Sequence, residues 1–528
     1  GGGEVYVGGG WQGTGDLPQA TTVTMGRDVV IDASATDNGQ GGTVVLWSDL
    51  SQPLSVTAAH GTLYARGGVN GGDGGRIETS GHTVDVDLLL VDTLAHQGRA
   101  GLWLIDPYDY TIGDTQAAAI VTALNTSNVT VTTTSNVVSY GSNNNSGSNG
   151  DIVVNSPITK TGSASTTLAL EAARHIRVGS NATISTTDGP LGVQLWADSD
   201  KSGDGIIYLE SSGITTRGGD LTFGKSGQTA TISGQLIMVG GDVFFQRSSA
   251  QTLDTGGGAL NVYGEAIVSN TSGLTVNSGN GNVTFHGLLN SGNAYSFVNK
   301  TSDTNHDWDW ARSNAKNSTA GGSAVGDSYL VNITSRLENA IAGLTANYSG
   351  AWIGAYRSNS NSYAWVWADG PEANVQFFTQ SSGGGGTTAA GYYSNFGSGE
   401  PNGGLSATRT SVETVGQFFG TAGLWNDLGV TTTFSSTQSS QYAVLGYVRE
   451  TNLAGSPITI NAGAGTVNLK ANVGSSKALT TLSVTAASTA INGTSLVTSS
   501  DQTYTGNLTV NAGASDLFLK GSVINVSG

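Results

Sequence analysis

Short runs of alternating apolar residues return along the whole chain, each closed by Gly, Asn, Ser or Asp. Examples are Thr43-Val44-Val45-Leu46-Trp47, Asp151-Ile152-Val153-Val154, Thr167-Leu168-Ala169-Leu170, Ile206-Ile207-Tyr208-Leu209, Asp220-Leu221-Thr222-Phe223 and Asp242-Val243-Phe244-Phe245. The pattern resumes after residue 455 with Ile458-Thr459-Ile460, Val467-Asn468-Leu469, Leu508-Thr509-Val510 and Leu517-Phe518-Leu519. A period of two bounded by turn residues predicts strands. They come back about once every twenty-odd residues, and a repeat of that size cannot bury its apolar face alone, so it must stack on its neighbours. The expected fold class is therefore mainly β, a solenoid of parallel sheets. An antiparallel sandwich competes, but hairpin dipeptides between matched strands are few. One stretch differs: Asp114-Thr115 followed by Gln116–Leu124 predicts a short capped helix near 115–125, expected on the outside of the stack.

Between 293 and 451 the alternation stops, and six of the ten Trp fall in this segment. Asp307-Trp308-Asp309-Trp310-Ala311-Arg312-Ser313-Asn314-Ala315-Lys316 has helical spacing, and Ser335-Arg336-Leu337-Glu338 has the S-x-x-E form of a capping box. A second domain inserted in the solenoid is the simplest account. The division expected is 1–292, 293–451 and 452–528.

Composition narrows the function. Gly reaches 79 residues against 8 Pro, which suits many short strands with tight turns, while charged residues make up 11%. The recurring apolar positions argue against disorder. A formal charge of −17 repels phosphate backbones and offers no basic stripe, so nucleic-acid binding is not expected, whereas a divalent cation is. No apolar run is long enough to enter and cross a bilayer as a helix, so no membrane insertion is expected. Cysteine is absent, so stability must come from repetitive burial and metal. Gly1-Gly2-Gly3-Glu4 is no signal peptide, and an export signal and anchor are expected to lie outside this sequence.

Residues 1–112 carry Gly8-Gly9-Gly10-Trp11-Gln12-Gly13, Gly41-Gly42-Thr43-Val44-Val45-Leu46-Trp47-Ser48-Asp49, Gly74-Gly75-Arg76-Ile77-Glu78-Thr79-Ser80-Gly81 and Trp103-Leu104-Ile105-Asp106-Pro107-Tyr108-Asp109. In these the chain resembles the filamentous-haemagglutinin-type exoproteins of two-partner secretion. The coils to 292 and from 452 onward fit that group less specifically. The resemblance implies a right-handed parallel β-helix, exported through an outer-membrane partner pore and displayed outside the cell at the bacterial surface.

The inserted segment carries Tyr329-Leu330-Val331-Asn332-Ile333, Trp352-Ile353-Gly354, Trp367-Ala368-Asp369-Gly370, Gly399-Glu400-Pro401-Asn402, Trp425-Asn426-Asp427 and Tyr447-Val448-Arg449-Glu450. In that order these marks resemble the α+β C-type lectin-like domain from end to end. The family's stapling cysteines are missing, with Val415 where one would stand, and the loop around 381–390 is enlarged. The resemblance implies Ca²⁺ held by Glu400, Asn402, Glu413, Asn426 and Asp427, with a carbonyl from Asp427; an insertion makes Glu413 the outlier in spacing. Such a hard cation takes six to eight oxygens. A cis Glu400–Pro401 bond is expected to turn the flanking side chains toward one ion. Two neighbouring sugar hydroxyls would complete the shell, and the Glu-Pro-Asn order implies mannose-, glucose- or fucose-type ligands. Trp352, Trp367 and Trp425 are expected in the core, and Tyr392, Tyr393 or Phe396 as a sugar-stacking face.

Other signals are weaker. Asp198-Ser199-Asp200-Lys201-Ser202-Gly203-Asp204-Gly205 begins like a calcium loop, yet its twelfth position is Leu209, and a polar turn is the simpler reading. Gly71-Gly72-Asp73-Gly74-Gly75 reads as a coil corner. His82, His96 and His306 have no metal spacing. The leading expectation is an adhesin whose β-helix carries a calcium-dependent head for a host glycan or biofilm polysaccharide. The alternative is a structural filament or matrix protein, self-assembling laterally, whose lectin-like domain contacts protein without sugar. No catalytic constellation is legible, so an enzyme is not expected.

Overall fold

The computed structural model describes residues 1–134, 150–203, 205–232, 235–238, 240–300, 305–319, 324–357, 363–403, 410–413, 417–418, 421–429, 433–434, 444–511 and 516–528. They form two compact units, one from residues 1–134, 150–292 and Gly455–Gly528, the other from Asn293–Ala454.

The first unit is mainly β with long parallel sheets, an arrangement compatible with a β-rich solenoid. Among the described residues its largest sheet has 20 strands. Thr43–Trp47 lies parallel to Arg76–Ser80, and that strand to Leu102–Asp106. The register then stacks like on like. One inward column runs Val44, Ile77, Trp103, Val129 and Leu168, and continues through Val193, Leu221, Leu260, Val283 and Val467. All ten side chains are buried. A slip of one residue would turn every one of them outward, so the alternating pattern fixes the register.

The column passes from Val283 straight to Val467, and Leu274–Asn277 pairs in parallel with Ile458–Asn461. Side chains tie the same step: Asn461 Nδ2 donates to Asn277 Oδ1 at 2.9 Å, and Thr466 N donates to Asn282 Oδ1 at 2.9 Å. Residues 293–454 therefore interrupt the sequence of this core without interrupting its ladder. At the corner expected at Gly71–Gly75, a Cβ on Gly72 would stand 2.0 Å from the Gly39 carbonyl oxygen, and φ there is +121°. Only glycine allows the two backbone segments to press together at that point.

The predicted helix is α1, Asp114–Leu124, with two differences from expectation. Its N-cap is Gly113, which offers no side-chain bond, while Asp114 sits in the first turn and accepts from Ser156 Oγ at 2.5 Å. Nor does it lie merely outside: Ala117, Ala119, Ile120, Ala123 and Leu124 are buried in the same apolar core as the strands. Four alanines and small neighbours let a helix enter where a larger apolar face would not pack.

In the second unit, Ala294–Asn299 pairs antiparallel with Gly446–Thr451 along its whole length, so the unit's two ends are side by side. Ala351–Arg357 pairs with Ala364–Trp367 and with Thr410–Glu413 in the same nine-stranded sheet. Helix α2, Trp308–Lys316, is capped by Asp307, whose side chain accepts from Trp310 N at 3.1 Å. Helix α3, Arg336–Thr345, starts at Ser335, whose Oγ accepts from Glu338 N at 3.1 Å. Only half of the expected capping box forms, because the Glu338 carboxylate takes Thr334 N (2.7 Å) and Thr334 Oγ1 (2.6 Å) instead. Trp308, Trp352, Trp365, Trp367 and Trp425 are each 1% exposed or less, so the expected core tryptophans are internal.

Leu221 is fully buried in the column and Thr222 beside it is half-buried. Leu221→Ala should cost about 2–5 kcal/mol and Thr222→Ala at most about 0.5 kcal/mol, measured by denaturant unfolding. Equal losses would contradict the inward assignment of the column.

Candidate functional site

Two loops of the second unit are brought together by backbone hydrogen bonds around Trp425. Trp425 N donates to Asn395 O and Gly397 N donates to Trp425 O, each at 2.9 Å. The buried indole reaches α3, donating from Nε1 to Asn339 Oδ1 at 2.8 Å. With Trp425 fixed, Asn426 and Asp427 follow directly beside Gly399-Glu400-Pro401-Asn402. The Glu400–Pro401 peptide bond is cis. Asp427 accepts from Asn402 N on Oδ1 at 2.7 Å and from Gly403 N on Oδ2 at 3.0 Å. Asn402 Nδ2 donates to Glu400 Oε1 at 2.9 Å.

Beneath this loop, Arg357 is wholly buried and donates from Nη1 to Gln380 Oε1 (3.0 Å) and to Gly403 O (3.1 Å). Gln380 Nε2 donates to the same carbonyl at 3.1 Å. The carbonyl of Gly403 is thus held from below while its amide holds Asp427.

Electrostatically the site is unfinished. Glu400 is 6% exposed and Asp427 7%. Glu400 Oε2 is buried without a hydrogen-bond partner among the described residues. Burial pushes the Glu400 carboxyl up to about 7, and the charge and close contact of Asp427 push the same way. Burial also raises Asp427, against the amides of Asn402 and Gly403 that favour its charged form. Two carboxyls in contact with one empty oxygen need a shared proton or a cation between them. A hard, oxygen-seeking cation fits that donor set.

Of the expected ligands, the structure joins Glu400, Asn402 and Asp427 by direct hydrogen bonds and places Asn426, also buried, next in the chain. Glu413 stands opposite Asn426 in the strand pairing Thr410–Glu413 to Asn426–Gly429; its side chain lies outside the described residues. Among the described residues no three Asp, Glu or His side chains surround one point closely enough to hold a metal by themselves. Val415 and Asp204 also lie outside the described residues, and Leu209 is buried in its strand.

The expected stacking face is reduced to one residue. Phe396 packs inward on Trp365, Phe378 and Trp425, and Tyr393 meets Trp425 edge-on. Tyr392 is 48% exposed. Phe396 is drawn inside because its backbone pairs with Trp425. His82 stacks on Tyr108 and His306 on Trp310, while His96 is exposed.

Sequence reasoning missed a second group of carboxyls. Glu450 is 3% exposed and accepts from Asn293 Nδ2 and from Asn332 N at 3.2 Å. Asn332 Nδ2 in turn donates to Glu372 at 2.9 Å. Burial first, and then the neighbouring Glu338 and Glu372, push Glu450 up to about 8. Glu450 stands two residues after the buried Val448 in the strand Gly446–Thr451, on the same face, and that spacing was the available signal. No protein-family model matches this chain, and no curated protein matches it significantly.

Glu450 keeps its proton in the folded state up to about pH 8, whereas the unfolded chain releases it near its ordinary 4.5. Stability of the wild type should therefore fall as pH rises through this window and level off above it. Glu450→Gln should lessen that slope in thermal unfolding of the full chain. A slope unchanged by the substitution would show that Glu450 ionises normally.

Proposed function

We propose that the chain is part of a surface-displayed bacterial adhesin, in which a right-handed parallel β-helix carries a C-type lectin-like domain that binds carbohydrate through Ca²⁺. The observation that carries this reading is the contact of Glu400 with Asp427, with a buried, unpartnered Oε2 and the Asn402 amide alongside. The order of tryptophan, Glu-Pro-Asn and Trp-Asn-Asp marks supports it, as does the adjacency of the unit's first and last strands. Adjacent ends are what allow a domain to be inserted in a host repeat.

In this reading Glu400, Asn402, Glu413, Asn426 and Asp427 hold the ion. Bound there, Ca²⁺ supplies coordination to two neighbouring sugar hydroxyls. The chain's own groups then select the sugar: carboxylates accept hydrogen bonds from those hydroxyls, and the Asn402 and Asn426 amides donate to the same oxygens. A carboxylate followed by an amide two residues later favours mannose-, glucose- or fucose-type hydroxyl pairs. Asn402 is exposed, which puts the selecting amide where a saccharide can reach it. Tyr392 is the aromatic available for stacking. The ligand class is a host glycan or biofilm polysaccharide, and passage through an outer-membrane secretion pore puts the protein outside the cell.

The test is binding to a mannose-type glycan by the full chain, with Ca²⁺ and with chelator. Binding should need Ca²⁺, and Asn426→Ala should abolish it. The double change Glu400→Gln and Asn402→Asp exchanges amide and carboxylate and should weaken mannose by about 10–100-fold. Specificity unchanged by the exchange would overturn the roles given to Glu400 and Asn402, and binding indifferent to chelator would instead favour a unit that contacts protein without sugar.

A further inference from the structure

We propose a second cation site in the first unit, at the turn Asp198–Gly203, where the carboxylates of Asp198 and Asp200 take a hard divalent cation such as Ca²⁺. It is independent of the Glu400–Asp427 reading.

Asp198 is 1% exposed, at the end of the strand Leu191–Trp196. Its backbone is pinned on both sides. Asp198 N donates to Arg174 O at 2.8 Å, and Lys201 N donates to Asp198 O at 3.0 Å. Gly205 closes the turn so tightly that a Cβ there would stand 2.4 Å from Asp198 N. The side chain is therefore placed by the fold.

One oxygen of that carboxylate is satisfied and the other is not. Oδ1 accepts from Ser202 Oγ at 2.9 Å and from Gly203 N at 2.8 Å. Oδ2 is buried with no hydrogen-bond partner. The nearest groups worsen its position. Asp200, whose Oδ1 accepts from Ser202 N at 3.1 Å, faces Asp198, and the carboxyl of Asp242 lies near enough to feel the charge of Asp198. No Lys or Arg among the described residues pairs with Asp198. A buried carboxylate oxygen facing other carboxylates is costly unless something positive fills the gap.

A cation answers each feature at once. Asp198 Oδ2 supplies a fixed inner ligand, and Asp200, exposed, supplies a second at the mouth of the turn. Water at that open side would fill the remaining positions, as hard cations with few protein carboxylates require. With so few protein ligands, the affinity expected is on the order of 10⁻⁴–10⁻³ M, the range of extracellular modules. Leu209 at the twelfth position argues against a calcium loop of the helix-loop-helix type, but a turn with this ligand arrangement does not depend on that position. A proton on Asp198 is the competing way to neutralise the pair.

The test is calorimetric titration of the full chain with CaCl₂ alone, in the wild type, Asp198→Asn, Asp200→Asn and Glu400→Gln. In a Glu400→Gln background, Ca²⁺ binding at the turn should remain, and adding Asp200→Asn should weaken it about 10–100-fold. Asp200→Asn changes an exposed residue and keeps the test open if Asp198→Asn does not fold. Ca²⁺ binding in the Glu400→Gln background that neither aspartate change weakens, or no binding there at all, overturns the proposal. So does an Asp198→Asn protein that gains stability without Ca²⁺ while its Ca²⁺ stoichiometry stays that of the wild type, since a proton then does the work assigned to the cation.

Discussion

Everything in the first unit depends on parallel strands keeping their register from one strand to the next. Neighbouring strands sit about 4.8 Å apart, so each inward side chain has its neighbours fixed above and below. The lengths between the strands are free. Leu221 pairs with Leu260 across a long connection that contains the antiparallel pair Thr229–Ile232 and Gln235–Met238, whereas Leu260 pairs with Val283 across a short one. The step from Val283 to Val467 is the extreme case of the same freedom. The segments between these strands can absorb an excursion because they carry none of the column, and loop closure grows only slowly in cost with length. Nearest-neighbour burial of this kind also explains how a chain with no cysteine can hold together.

That division between fixed columns and free corners decides what the sequence reveals. Alternation exposed Thr43–Trp47, Leu221–Phe223 and Thr466–Leu469 as strands, because period two is a property of a few consecutive residues. The cap of α1 was misread at Asp114, since Gly113 and Asp114 are both acceptable starts and only the backbone decides between them. The buried corner of Asp151, Arg174 and His175 was invisible for a different reason. Asp151 accepts from Arg174 Nε at 2.8 Å and from His175 N at 3.0 Å, contacts between residues distant in sequence that need the register before they can be drawn. In the candidate site, residue types within each loop were legible, and so was the inward tryptophan. Which carboxyl would meet which was not, nor that Phe396 would turn inward while Tyr392 stayed out.

The same chemistry recurs at these places with different outcomes. At Asp151, burial opposes the charge, but Arg174 at 2.5 Å outweighs it and holds the carboxyl below its usual range. His175 beside it stays neutral, pushed down to about 3 by burial, and its Nδ1 accepts from Ile206 N at 3.1 Å. That corner is complete within the protein. At Glu450 no basic side chain among the described residues takes the place of Arg174; amides of Asn293 and Asn332 serve the carboxyl, and burial pushes it up to about 8. It is complete once a proton is counted.

Glu400 differs from both. Its Oε1 receives one amide, its Oε2 receives nothing, and the nearest strong group is another carboxylate already saturated by two backbone amides. Arg357 is close enough to favour the charge of Asp427, and its Nη1 holds Gln380 and the Gly403 carbonyl, which steadies the loop. A core designed only for stability would place a donor at Oε2 or replace the pair with apolar residues, since a buried like-charged pair contributes nothing to folding. The acidic pair lies beside the exposed Asn402, whose backbone amide donates to Asp427 and whose side-chain amide donates to Glu400, and the proposed ion site rests on that arrangement.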